Sequence, residues 1–181
     1  MKKKGLVIAA SVMLVLCLAV GGTLAWLMDE TETIKNTFTV GNIEITLEES
    51  DDLDLKMVPG NTITKDPHVT VVDGSEDCWL FVKIEKNATY DTYLDEYVLA
   101  DGWTVVPGET NVYYRTVLAT DTDKDFEVLK DNQVTVLGTV EKTDMDNITN
   151  GTIDAPTLSF TAYAVQKANF ATAELAWAEV E

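Results

Sequence analysis

Apolar residues are distributed along this chain in two distinct ways. The first is an uncharged run from Gly5 to Met28, rich in Leu, Val and Ala, set between Lys2-Lys3-Lys4 and Asp29-Glu30. A positive start followed by an apolar run orients such a segment with its beginning in the cytoplasm. Thr23-Leu24-Ala25 supplies small residues at the −3 and −1 positions of an export signal, so cleavage is expected between Ala25 and Trp26. The alternative is a retained membrane anchor, since about 20 apolar residues suffice to span a bilayer.

Beyond Asn36 the pattern changes to short alternations. Phe38 and Val40 alternate with Thr37 and Thr39. The phase slips at Gly41-Asn42, as at a β-bulge, and Ile43, Ile45 and Leu47 take over. Val58-Pro59-Gly60-Asn61 and Asp73-Gly74 read as turns around a strand at Val69–Val72. Trp79 to Ile84 is dense in large apolar groups, which predicts a central strand covered on both faces. Trp103–Val106 and Val112–Leu118 form a hairpin pattern. Phe126–Leu129, Gln133–Val140 and the alternating Leu158, Phe160, Ala162, Ala164 add three more strands.

Helical spacing is rarer. Tyr90, Tyr93, Leu94 and Tyr97 recur at i, i+3, i+4 and i+7, predicting a short amphipathic helix. Thr143-x-x-Asp146 has the form of a capping box for one or two turns ending at Asn150-Gly151. Phe170, Ala173, Trp177 and Val180 share a stripe, predicting a terminal helix at about 169–180. The whole reads as an all-β sandwich with short helices, preceded by a signal-peptide helix. Three parts follow: a signal at 1–25, a tail at 26–37, and a sandwich domain at 38–181.

Charge narrows the function. The chain carries 31 Asp and Glu against 13 Lys and Arg, a net charge of −18. Phosphate recognition needs a basic surface, so nucleic acid is excluded as a partner. Of the two cysteines, Cys17 lies in the signal, which leaves Cys78 alone with no internal disulfide. The one histidine, His68, cannot form the H-E-x-x-H pair of a zinc protease, and no G-x-S-x-G elbow accompanies it. Asp121, Asp123 and Asp125 have the 1, 3, 5 spacing of a calcium loop. Phe126 then stands where such a loop needs Gly, and Asn132 where it needs Glu, so the run reads as a solvated loop, as do Asp51, Asp52 and Asp54. Trp79, Trp103 and Tyr113 could stack on sugars, but in strands such aromatics more often fill the core. Asn87, Asn147 and Asn150 each open an N-x-[ST] pattern. No cofactor is indicated.

Four stretches carry a family resemblance. Gly21-Gly22-Thr23-Leu24-Ala25-Trp26-Leu27-Met28-Asp29 resembles the G-G-T-x-A-[aromatic]-x-x-D motif of a SipW-type signal peptide. Phe38-Thr39-Val40-Gly41-Asn42-Ile43-Glu44-Ile45 resembles the first strand of the TasA–camelysin family. Val58-Pro59-Gly60-Asn61-Thr62-Ile63-Thr64-Lys65 is similar to that family's turn-and-strand, and Leu158–Gln166 to its closing strand. The resemblance implies a jelly-roll sandwich, export by a dedicated signal peptidase of Gram-positive Bacillota, and a role on the cell surface or in biofilm matrix. It also implies that the segment freed by cleavage serves as a donor strand for the next subunit. Trp26, Leu27, Met28 and Ile34 would then be its anchors, while Asp29, Glu30 and Glu32 depart from the apolar character a buried strand wants. A free tail is the alternative. Camelysin-like relatives are described as surface metalloproteases, and the single histidine here departs from that chemistry.

The sequence thus predicts a secreted, non-enzymatic structural protein that associates with itself, or with related matrix proteins, into fibres. The alternatives are a surface adhesion or ligand-binding module and a camelysin-like protease.

Overall fold

A computed structural model describes residues 42–50 and 56–180. Its long central strand β4 (Cys78–Lys86) is the run predicted from Trp79 to Ile84, and the reason for its position is plain. Leu80, Val82 and Ile84 point to one side and Phe81 to the other, and none is more than 1% exposed. A strand apolar on both faces must lie inside a sheet that is covered twice. Antiparallel partners flank it: β6 (Val112–Val117) on one side and β9 (Leu158–Gln166) on the other. The two-residue β5 (Thr104–Val105) extends the sheet beyond β6, giving the order β5-β6-β4-β9.

The facing layer is built from shorter pieces. β1 (Ile45–Glu48), β3 (His68–Val71) and β7 (Asp125–Glu127) form one antiparallel sheet. β2 (Thr62–Thr64) and β8 (Gln133–Thr135) form another. Val69 and Val71 of β3 meet Leu80, Val82 and Ile84 of β4 in the main core, joined by Val128. Each such fully buried aliphatic contributes about 1.5–3 kcal/mol. The fold is therefore an all-β sandwich, as the alternations predicted. The signal, the first part of the predicted strand at Phe38 and Val40, and Asp51, Asp52 and Asp54 lie outside the described residues.

The helices differ in detail from expectation. Helix α1 (Tyr90–Tyr93) stops after one turn instead of continuing to Tyr97. Leu94 turns extended and bridges Val136, while the Asp95 N–H donates to the Thr135 carbonyl at 2.9 Å. Strand-like bonding to the β8 segment outweighs the modest helix propensity of tyrosine. Helix α2 (Lys142–Thr149) starts a residue before the predicted cap at Thr143. Its capping box joins Glu141 and Asp144, not Thr143 and Asp146. Asp146 instead pairs with Lys142 at 2.7 Å along the helix. Helix α3 (Ala173–Trp177) follows a single 3-10 turn and lies over the outer face of β4, where Trp177 packs 5.4 Å from the Phe81 ring and 5.3 Å from that of Tyr163.

Candidate functional site

Two strand edges face a gap. β2 bonds only to β8, and β9 only to β4, so each offers backbone N–H and C=O groups with no strand partner among the described residues. Between them lies an apolar cavity of about 470 Å3. Ile63 of β2, Val134 of β8, Leu158 at the start of β9, Pro156 and Met57 line it. Lys65 stands at its side, its Nζ 2.7 Å from Glu49 and 5.5 Å from the centre of the Phe160 ring.

The cavity is also lined by Tyr90, which is fully buried. Its hydroxyl has no hydrogen-bond partner among the described residues, and burial pushes its pKa up to about 12. A buried hydroxyl without a partner is costly, so it marks a place where a further group could bond. No residue of β9 is fully buried, although the strand is nine residues long. No local sequence pattern marks this groove, because its walls come from four separated stretches.

The residues singled out from sequence fall elsewhere. His68 lies on the open face of its sheet, directly between Glu48 and Glu127 in register. Its Nδ1 is 3.3 Å from Asp125 Oδ2. Asp125 also accepts from the Thr70 hydroxyl at 2.9 Å, while Asp121 accepts from the Leu118 N–H at 2.8 Å. Among the described residues no group of three or more His, Cys, Asp or Glu converges closely enough to hold a metal ion. Trp103 is in the core, its indole N–H donating to the Glu127 carbonyl at 2.8 Å. Tyr113 pairs its hydroxyl with that of Tyr97 at 2.8 Å, and Trp79 donates to the Phe170 carbonyl. Ala25, Trp26, Leu27, Met28 and Ile34 lie outside the described residues. No helix among the described residues is long and apolar enough to cross a membrane.

A small antiparallel sandwich with an open seam between β2 and β9 is thus the class of protein that these features define. The family model described as camelysin metallo-endopeptidase matches residues 1–95, more than half of the 181, and the chain belongs to that camelysin–TasA family. At family level this makes it a protein of the cell surface or biofilm matrix. No curated protein and no solved structure matches the chain.

The match corrects one expectation. The lone histidine predicts a non-enzymatic protein, whereas the family carries a metallo-endopeptidase description and also takes in TasA-like members without activity. The metal which that description implies finds no fitting set of ligands among the described residues. Zinc centres of such enzymes use two or three histidines, and His68 is the sole histidine of the chain, engaged with Asp125.

Proposed function

We propose that the chain is exported, trimmed between Ala25 and Trp26, and then joins copies of itself at the cell surface or in matrix by strand addition. The segment 26–37 of one copy is the donor, with Trp26, Leu27, Met28 and Ile34 as its apolar anchors. The seam between β2 and β9 of the next copy is the acceptor. The observation that supports this reading is the pairing of two unpartnered strand edges with an apolar cavity between them. An added strand satisfies such edges with main-chain hydrogen bonds, and apolar side chains fill the cavity. A head-to-tail contact of this kind propagates into a filament.

The test compares a chain beginning at Trp26 with one lacking residues 26–36, by light scattering and electron microscopy at rising concentration. The first should form filaments and the second should stay monomeric. If the first stays monomeric and the deletion changes nothing, strand addition is wrong. N-terminal sequencing of the exported protein checks the cut.

The family description favours a second reading, metal-dependent cleavage of peptide bonds. Incubating the purified protein with casein and zinc, with and without chelator, decides it. Chelator-sensitive cleavage supports that reading, and an unchanged substrate removes it.

A further inference from the structure

Arg115 is the only arginine in the chain, and it occupies an unusual position. On β6 it shares a face with Tyr113 and Val117, and its partner across β4 is the fully buried Leu80. This is a core-facing position, where a charge breaks the alternation that builds the sheet. Such breaks concentrate at functional places. The guanidinium is held by aromatic rings, 3.7 Å from the centre of Phe126 and 5.2 Å from that of Trp103. Gly102 (φ +90°) leaves room for it, since a Cβ there would lie 2.7 Å from Nη2. The group is thus positioned on three sides.

It is not, however, paired. In a chain with 31 carboxylates, Arg115 has no ion pair or hydrogen bond among the described residues. Lys65, Lys86, Lys124 and Lys142 all have carboxylate partners. Burial disfavours the charge of Arg115 and lowers its pKa, while Asp123 and Asp121 act on it only through longer-range attraction. An arginine fixed by stacking, with its donor fork unused, is prepared to receive an oxygen ligand bidentately.

The guanidinium borders a pocket of about 350 Å3, within the range of small-molecule sites. Asp101, Asp123, Asp125, Glu127, Lys130 and Asp131 line it, the Asp125 carboxylate being already engaged by His68 and Thr70. Asp131 and its neighbour Asn132 hold left-handed backbone (φ 56° and 51°), a conformation that costs non-glycine residues energy and gathers at binding sites. The excess of carboxylates in the lining repels a simple anion, and a simple cation leaves the Arg115 fork without an acceptor. A ligand with a carboxylate at one end and an ammonium group at the other satisfies both.

We propose that this pocket binds a small zwitterion of the amino-acid or dipeptide class. Its carboxylate lies on the Arg115 fork and its ammonium group among the carboxylates of Asp101, Asp123 and Asp131. The pocket shares no lining residue with the groove between β2 and β9 and does not depend on strand addition.

Isothermal titration of the full chain with lysyl-alanine tests this, alongside the same dipeptide with its carboxylate amidated and with its amines acetylated. The free dipeptide should bind saturably, and each blocked form about tenfold more weakly, as expected for losing one charged hydrogen-bond partner. Arg115→Gln should produce the same loss. Asp123→Asn combined with Asp131→Asn, both on the rim, should weaken binding at least severalfold without disturbing the core. Equal binding of the amidated form, no binding of the free dipeptide at millimolar concentration, or an unaffected rim variant would each overturn the proposal. Should Arg115→Gln fail to fold, the rim variant and the blocked dipeptides decide alone.

Discussion

Replacing Tyr90 with phenylalanine should make the monomer more stable. The ring of Tyr90 is fully buried and its hydroxyl has no hydrogen-bond partner among the described residues. Stripping water from an unpaired hydroxyl costs about 1–3 kcal/mol. Phenylalanine keeps the ring, along with the Lys86 ammonium 5.1 Å from its centre, and removes only the oxygen. The expected gain is therefore about 1–2 kcal/mol, a rise in the urea midpoint of about 0.5–1 M at unchanged slope. Tyr97→Phe is the natural control. That hydroxyl is bonded to Tyr113 at 2.8 Å, so its loss should cost about 0.5–1.5 kcal/mol. Two identical chemical changes seven residues apart should thus move the midpoint in opposite directions. If Tyr90→Phe lowers the midpoint as Tyr97→Phe does, the hydroxyl is satisfied in solution and the reasoning about the groove fails. If a neighbouring strand fills the groove, the gain should shrink in the assembled form, because the hydroxyl then has a partner.

Further outcomes follow from the same packing. Phe81→Ala should cost about 3–5 kcal/mol in urea unfolding, because its ring is completely enclosed by Val112, Ala176 and Trp177. Gly102→Ala should cost at least about 1–2 kcal/mol, since positive φ and the close Arg115 guanidinium both oppose a Cβ, and crystallography should show that guanidinium displaced. Burial raises the Cys78 thiol to about 11, so the native protein should resist thiol reagents at neutral pH. The unfolded thiol ionises near 8.5–9, whereas the folded one keeps its proton. Stability from this group is therefore intact below pH 8.5 and falls by about 3 kcal/mol as the pH climbs to 11. Cys78→Ala should flatten that part of the curve measured by urea titration.

Much of the sandwich was legible because single stretches encode it. The doubly apolar run at Trp79–Ile84 could only be a central strand, and the clean alternation from Leu158 onward placed β9. The helix at Tyr90 ends early because the Asp95 N–H donates to the Thr135 carbonyl and the Tyr93 carbonyl accepts from the Leu137 N–H, and these bonds to a segment far along the chain redirect the backbone. Neither site was legible. The groove brings together Met57, Tyr90, Val134 and Leu158, which no local pattern connects. Arg115 did leave a signal, a charge sharing its face with Tyr113 and Val117. It was masked because the opposite face, Val112 and Tyr114, is apolar as well, so inward and outward could not be told apart.

The attachment of β9 has a mechanical consequence. Among the described residues it has a strand partner on one side only, and the chain beyond it passes through a 3-10 turn into α3. Tension applied at the carboxyl end first strips α3 from β4 and then loads the β4–β9 ladder rung by rung, beginning at Cys78 and Gln166. A hairpin-like peel of this sort yields to weaker pulls than a shear that strains all rungs together. A surface protein tethered by that end would shed its outer strand before its centre gave way, and a neighbour clamped along the free edge would brace it.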